Sequence, residues 1–274
     1  MHRRHRLLPF LALCVISGTC MFPLVWILIT SLKTLREAYV IPPTWIPSPV
    51  TFENYVYIWG IESFWRLLVN SMIVSALATL LSLIVAGLGA YGFSRFAFVG
   101  KRGLMIFALT TQMFPGIVLV IPYFGVATFF GLFNTRLALI IAYVSFVLPF
   151  SMLMLKGVFD AVPREIDEAC LIDGTSRLGA LCRVVLPLSL PGLVATGLYC
   201  FLVAWNDYLF AVVLTATPDM RVVSVGVASM IGQYRVQWNN LMAGAVLASI
   251  PSVFIFAFLE RYFITGLSGG SIKG

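Results

Sequence analysis

Charge is scarce in this chain. Asp, Glu, Lys and Arg make up 11% of its 274 residues, whereas apolar residues make up 60% and the mean hydropathy is +0.98. Soluble domains carry about 25% charged residues, so this composition excludes an ordinary soluble globular protein. Because a spanning helix needs about 20 mostly apolar residues, the sequence predicts a polytopic membrane protein with little room for a separate soluble domain.

Motifs for catalysis and metal binding are also lacking. The sequence has no GxxxxGK[ST] phosphate loop, no HExxH and no pair of aspartates within an apolar run. These absences exclude ATP binding by the usual phosphate loop and argue against a membrane enzyme. Five cysteines occur without CxxC or Cys/His ligand spacing. We therefore predict no disulfide, no metal site and no cofactor bound by the chain itself.

Apolar windows and basic residues together predict a topology. Six windows are long enough to span a bilayer, at residues 9–32, 67–93, 103–130, 136–156, 188–213 and 241–265. Twelve of the 18 Lys and Arg flank the same side of these windows. Because basic residues are enriched in cytoplasmic segments, we expect a multi-pass protein of the plasma or inner membrane, with both termini and the 157–187 loop in the cytoplasm. This topology also explains the net charge of +7, so nucleic-acid binding is not indicated.

Two sizeable connections fall on the opposite side. Residues 33–66 are rich in Pro, Trp and Tyr, which is typical of a segment along the membrane interface, although a stiff linker has the same composition. Residues 215–240 include apolar stretches that suit a re-entrant or surface helix. We expect these loops to receive an external partner.

Small residues recur every four positions in two windows, which allows helices to approach closely. They are Ala78, Ser82, Ala86 and Ala90 in the second window, and Gly244, Ala248 and Ser252 in the sixth. Packing within the chain is favoured over a subunit interface.

The segment from Pro163 to Pro191 departs from the apolar composition. Carboxylates left in hydrocarbon cost several kcal/mol, so a segment this acidic must face water. Pro163 suits a first helical turn, Asp160 is a possible cap and Gly174 suits a left-handed stop. We therefore predict a short helix and then a second segment up to Leu186-Pro187. An ordinary interhelical loop is the alternative, but such loops are usually shorter, and docking of a soluble partner is favoured.

The same segment resembles a known motif. Glu168-Ala169-Cys170, then Asp173-Gly174, then Leu186-Pro187, is similar to the EAA loop of binding-protein-dependent ABC importer permeases. That loop usually reads EAA, DG three residues later, and LP further on. Cys170 replaces the usual Ala, and Leu181 stands where Phe is common. Both replacements keep an apolar side chain.

Further motifs resemble carbohydrate importer permeases related to the second permease of the maltose system. They are Asn70-Ser71, Met113-Phe114-Pro115, Ile121-Pro122, Leu148-Pro149-Phe150, Trp205-Asn206-Asp207 and the ending Gly266–Gly274. The resemblance covers nearly the whole chain. It implies the type I ABC importer permease fold, an all-α membrane protein with six transmembrane helices and a cytoplasmic EAA coupling loop.

The resemblance also implies partners and residue roles. It implies a heterodimer with a second homologous permease, two cytoplasmic ATPases that use ATP and Mg²⁺, and an external solute-binding protein. A sugar would be carried inward by alternating access. In the family the coupling loop docks in a cleft of the ATPase. The corresponding docking positions here are Glu165, Glu168, Ala169, Cys170, Asp173, Gly174 and Arg177. For Arg177, the enrichment of basic residues in cytoplasmic segments is an equally good explanation. The 266–274 tail would reach the same interface, unless it is a plain disordered terminus.

Polar residues inside apolar windows are candidates for the substrate path. Carboxylate and amide groups bond sugar hydroxyls, while aromatic rings stack on the apolar face of a pyranose. The candidates are Gln112, beside a Pro-Gly break in the third window, and Trp205, Asn206, Asp207 and Tyr208 in the fifth. A hydrogen bond between helices or a hinge explains these residues equally well, and the main sugar contacts can lie on the other permease.

Other functions stay open at this stage. Relatives of this subfamily also carry glycerol phosphate or phosphodiesters, which is the nearest alternative. A polytopic membrane enzyme would need a catalytic motif. An ion-coupled transporter would need several intramembrane carboxylates, whereas only Asp207 is clearly intramembrane and Glu260 lies near the end of the last window.

Overall fold

The computed structural model describes residues 4–60, 64–232 and 236–268, and these residues are mostly helical. The helices are α1 (Arg4–Ser31), α2 (Glu53–Gly60), α3 (Phe64–Arg95), α4 (Lys101–Thr110), α5 (Gly116–Phe129), α6 (Arg136–Asp160), α7 (Arg164–Ile172), α8 (Arg177–Leu188), α9 (Leu190–Asn206), α10 (Leu209–Leu214), α11 (Val223–Ser229) and α12 (Trp238–Ser268). Within the described ranges, the strand-like pairing is a single bridge between Ile231 and Val236. The all-α prediction is confirmed.

Four helices are long and apolar enough to cross a membrane alone, judged by length and composition. They are Pro9–Ser31, Phe64–Arg95, Arg136–Asp160 and Trp238–Arg261. Two bent pairs, α4 with α5 and α8 with α9, bring the number among the described residues to six if each pair is one span. This agrees with the predicted six-helix membrane fold, because a helix satisfies its own backbone groups in lipid.

The helices depart from the predicted windows most clearly at three places. The third window is bent by 100° between Met113 and Gly116, because Pro115 has no N–H and the residue before it is extended. The fifth window bends by 85° at Ser189 and breaks again after Asn206. α6 continues to Asp160, so the connecting loop begins later than residue 157. Of the predicted tail, 266–268 end α12, and 269–274 lie outside the described residues.

The described residues within 66–225 and 251–268 form one compact unit. One core cluster joins α3, α5, α6, α9 and α10, around buried residues such as Tyr143 and Phe210. A second cluster joins α3, α6 and α8, around Leu155 and Val185. The small residues of α3 are all at most 2% exposed: Ala78, Ser82, Ala86 and Ala90. In this helix they pack within the chain, as the sequence favours.

The described residues within 4–65 and 226–250 form the other compact unit. Its 33–60 loop is folded, because polar side chains bind its backbone. The Glu37 carboxylate accepts hydrogen bonds from Thr44 Oγ1 (2.8 Å) and the Ser48 N–H (3.0 Å). Asn54 Nδ2 donates to the carbonyl oxygens of Ser31 (2.7 Å) and Lys33 (2.8 Å). The loop is therefore tied to the end of α1, and a plain linker does not describe it.

Candidate functional site

The predicted docking helix is α7, and its start differs from the prediction. Pro163 has an extended backbone (φ −56°, ψ 138°), so it precedes the helix and is not part of its first turn. Glu165 and Asp167 lie in the first turn, where the positive end of the helix dipole favours carboxylates. The prediction that Asp160 caps this helix is wrong. Asp160 ends α6, and its carboxylate accepts a hydrogen bond from Ser94 Oγ (2.6 Å).

The end of α7 is closed at Gly174, as predicted. Gly174 has φ +81°, in the left-handed region that glycine adopts without strain. Its N–H donates to the Leu171 carbonyl (3.1 Å), and the Thr175 N–H donates to the Cys170 carbonyl (2.9 Å). These two bonds make a Schellman motif, which turns the chain from α7 directly into α8. The predicted short helix is therefore present, and the second segment that follows it is also helical.

One face of the α7–α8 segment is exposed. The predicted docking residues with exposed side chains or backbone are Glu165, Glu168, Ala169, Asp173, Gly174 and Arg177, while Cys170 is half-buried. Ile172 is 86% exposed and Leu178 is 61% exposed in the same segment. Carboxylates beside exposed apolar side chains suit a partner surface that offers apolar and basic groups.

The opposite face of α7 is held against the C-terminal ends of α3 and α6. Asp167 forms an ion pair with Arg95, the last residue of α3, through Oδ2 and Nε. The two side chains are only 7% and 4% exposed. The same guanidinium donates to the carbonyl oxygens of Phe159 and Val162, both at 3.0 Å. Asp167 therefore belongs to the buried anchor of α7 and not to its exposed face.

α8 packs on the same end of α3. Leu181 and Val185 are 3% and 0% exposed in the second core cluster. Leu181, which stands where Phe is common in the family motif, therefore packs in the core. The Arg177 guanidinium lies 5.0 Å from the centre of the Phe96 ring. The Arg177 carbonyl accepts a hydrogen bond from Tyr91 Oη (3.4 Å). The exposed face of the α7–α8 segment is therefore supported by packing of α8 against the end of α3.

The Arg95–Asp167 pair was missed at the sequence level. The two residues are 72 positions apart, and no local pattern connects them.

The Asn70-Ser71 motif has a structural role. Asn70 Nδ2 donates to the carbonyl oxygens of Asp219 (2.7 Å) and Arg221 (2.9 Å). Ser71 Oγ accepts from the Val223 N–H (2.7 Å). Both residues tie the start of α3 to the segment that leads into α11.

Gln112 lies at the bend between α4 and α5, where it lines a cavity of about 380 Å³. The other lining residues are mostly aromatic or hydroxyl-bearing: Thr111, Phe114, Leu119, Tyr123, Ser145 and Phe146. Gln112 Nε2 donates to the Phe146 carbonyl (2.6 Å), and Tyr123 Oη shares a hydrogen bond with Ser145 Oγ (2.5 Å). The volume is within the usual range of small-ligand pockets, about 300–1,000 Å³.

Asp207 occupies the break between α9 and α10. Its Oδ2 accepts hydrogen bonds from Tyr143 Oη (3.0 Å) and from the N–H groups of Phe210 (3.0 Å) and Ala211 (3.2 Å). This is the arrangement of a capping side chain at a helix start. The carboxylate faces the interior of the helix bundle, where it bonds both α10 and the Tyr143 hydroxyl.

The remaining candidates in the fifth window have different surroundings. Trp205 is 4% exposed and stacks on Phe201, whereas Tyr208 is 47% exposed. Asn206 is exposed, and its Nδ2 donates to the Leu202 carbonyl within α9 (2.8 Å).

Phe210 packs between the surroundings of Asp207 and the Gln112 cavity. The Phe210 ring, which follows Asp207 on α10, lies 5.1 Å from the Tyr123 ring and 5.7 Å from the Phe146 ring, centre to centre. Tyr123 and Phe146 both line the Gln112 cavity.

Comparison with known proteins gives consistent matches along the chain. Residues 78–269 match the family described as "Binding-protein-dependent transport system inner membrane component". The inner membrane ABC transporter permease protein YcjP of Escherichia coli K12 is 37% identical over 256 residues, covering 93% of this chain and 91% of that protein. The trehalose/maltose transport system permease protein MalG of Thermococcus litoralis is 35% identical over 277 residues, covering 98% and 97%.

A solved structure supports the fold independently. A bacterial ABC transporter involved in import of the acidic polysaccharide alginate contains a chain with TM-score 0.83, 21% identity, and coverage of 95% of this chain and 97% of that one. At this identity the likeness shows the fold alone. The family consists of membrane components of transport systems, which agrees with the expectation of a permease and not of a catalytic enzyme. With its helical membrane fold and its match over most of its length, the chain belongs to the family of binding-protein-dependent transport system inner membrane components.

Proposed function

We propose that this chain is the permease subunit of an ATP-driven ABC importer that carries a sugar into the cytoplasm by alternating access. The observation that carries this proposal is α7, a short capped helix whose exposed face bears EAA-like residues and whose other face is anchored to two spanning helices. Relatives named for sugar transport, such as the trehalose/maltose permease, support the substrate class.

The proposed assembly contains three kinds of protein partner. A second homologous permease completes a heterodimer, two cytoplasmic ATPases use ATP and Mg²⁺, and an external binding protein delivers the sugar. The basic residues at one set of helix ends support an orientation with both termini and α7 in the cytoplasm.

The proposed docking surface comprises Glu165, Glu168, Ala169, Cys170, Asp173, Gly174 and Arg177. Its carboxylates would meet basic groups of the ATPase, and Ile172 and Leu178 would be covered by apolar groups. Burying two such side chains stabilises the contact by about 1.5–3 kcal/mol each. The half-buried Cys170 contributes mainly by leaving room for close approach.

The proposed substrate path passes the Gln112 cavity and the break at Asp207. Gln112, Asn206 and Tyr208 would offer hydrogen bonds to sugar hydroxyls, since their side chains are at least partly exposed. Trp205 and Asp207 would support the path without contacting the sugar: Trp205 by packing on Phe201, and Asp207 by capping α10.

Co-purification tests the proposed docking. The tagged chain is expressed with its second permease and ATPases and is isolated in detergent, where the ATPases should stay bound. Gly174→Asp and deletion of residues 168–174 should release them, because both alter the turn that presents α7. Gly131→Asp is the matched control: Gly131 also has positive φ (+66°) and open space around its Cα, but it lies between α5 and α6. The proposal fails if the wild-type chain holds no ATPase, or if both changes leave the ATPases bound.

A further inference from the structure

Arg95 connects three helices that meet below the docking surface. Its Nε binds the Asp167 carboxylate on α7. Its Nη1 donates to the Phe159 carbonyl at the end of α6 (3.0 Å), and its Nη2 donates to the Val162 carbonyl just beyond that end (3.0 Å). Arg95 itself ends α3. One rigid, planar guanidinium therefore joins α3, α6 and α7, which we call the Arg95 clamp.

The clamp is buried, and the Asp167 carboxylate depends on Arg95 for its side-chain hydrogen bond. Asp167 Oδ1 is buried without a hydrogen-bond partner among the described residues, so the contact of Oδ2 with Arg95 is the side-chain bond that the structure gives this group. Loss of Arg95 would leave a buried carboxylate with no donor. Arg95 also supplies positive charge and N–H groups to the C-terminal carbonyls of α6, where cations are favourable.

The neighbouring Ser94 strengthens the same junction. Its hydroxyl donates to the Asp160 carboxylate on α6 (2.6 Å), and its carbonyl accepts from Arg164 Nη2 at the start of α7 (2.9 Å). Consecutive residues at the end of α3 thus bind both α6 and α7. α7 is linked covalently only to α6 on one side and to α8 on the other, so non-covalent contacts alone join it to α3.

We propose that the Arg95 clamp is the element that passes displacement of α7 to the spanning helices α3 and α6. This inference rests on the proposed function, in which ATPases move α7. A buried, multiply bonded guanidinium resists rotation of α7 against α3 more than apolar packing does, because its hydrogen bonds are directional. Arg95 is then a positioning residue: it contacts neither ATP nor sugar, yet it couples ATP hydrolysis to transport.

The decisive measurement is the number of sugar molecules transported per ATP hydrolysed, in proteoliposomes that contain the complete complex with its binding protein. Values are expressed per assembled complex, so that poor folding does not enter the ratio. In Arg95→Met/Asp167→Leu, apolar side chains replace the ion pair, which often preserves stability while removing the directional bonds. Arg95→Lys keeps the charge and most of the volume but loses the planar fork.

We expect both variants to keep their ATPases and to hydrolyse ATP, with transport per ATP reduced at least tenfold for the double variant and less for Arg95→Lys. Stimulation of hydrolysis by the sugar-loaded binding protein should weaken in parallel. Lys156→Met is the matched control. It removes an ion pair between two residues of α6, on Oδ2 of Asp160, and leaves the hydrogen bond from Ser94 to Oδ1 of Asp160 in place. The ratio should therefore stay within twofold of wild type.

Two outcomes would overturn the proposed role of the Arg95 clamp. One is a wild-type ratio in both variants, and the other is a reduced yield of complex with an unchanged ratio, which would make Arg95 structural only. A failure of the proposed function looks different, since the wild-type complex itself would then show no ATP-driven uptake.

Discussion

Asp207→Ala should destabilise the protein by an amount that the contacts of the carboxylate define. Loss of a capping side chain at the start of α10 costs about 1 kcal/mol. Tyr143, which is 1% exposed, would keep a buried hydroxyl without its acceptor, and such a group costs about 1–3 kcal/mol. The expected total is about 2–4 kcal/mol of unfolding free energy.

The assay is denaturant unfolding of the purified chain in detergent, with variants that separate the contributions. Asp207→Asn should retain most of the stability, because an amide oxygen also accepts at a helix start. Tyr143→Phe should cost about 1 kcal/mol, because it removes the hydroxyl itself and leaves no buried hydroxyl without an acceptor. Asn206→Ala is the control beside it. Its side chain is exposed, and among the described residues its hydrogen bond lies within α9, so the change should stay within about 0.5 kcal/mol.

Equal stability of Asp207→Ala and wild type would refute the capping argument. Uptake measured on Asp207→Asn adds a second result. A variant that is stable yet no longer takes up sugar would show that the path requires the charge of this carboxylate and not only its capping bonds.

Three further changes test separate parts of the fold. Gly174→Ala should cost about 1–2 kcal/mol, from the left-handed backbone alone, because an added Cβ meets no atom within 4 Å; unfolding in detergent measures it. Gly192→Ala should cost about 1–3 kcal/mol, because its Cβ would lie 2.4 Å from Val158 Cγ2, and Val158→Ala in the same chain should recover part of this loss; no recovery would contradict the packing. Asp219→Asn should change stability by less than about 1 kcal/mol, because its ion pair with Arg66 is 62% and 43% exposed; a larger loss in the same assay would contradict this.

Features encoded locally were predictable from the sequence. Each spanning helix satisfies its own backbone bonds, so apolar windows indicate helices directly. Pro115 and Gly174 act through their own backbone geometry, and both the bend at α5 and the stop after α7 were predicted. The EAA-like motif is likewise contiguous, which allowed its exposed residues to be named in advance.

Features that depend on distant partners were not predictable. Asp160 has the residue type of a cap, but its carboxylate binds Ser94, 66 positions away. The break after Asn206 has no Pro or Gly; it depends on the Asp207 side chain capping α10. Arg95 and Asp167 are 72 positions apart, and no sequence pattern indicated that they form a buried pair.

The most direct test of the central claim is sugar uptake into proteoliposomes that contain this chain, its second permease and the ATPases. The binding protein is supplied outside and ATP inside. The account predicts uptake that requires both ATP and binding protein, is lost in Gly174→Asp and is kept in Gly131→Asp. Uptake by this chain alone along an ion gradient, without any ATPase, would contradict it.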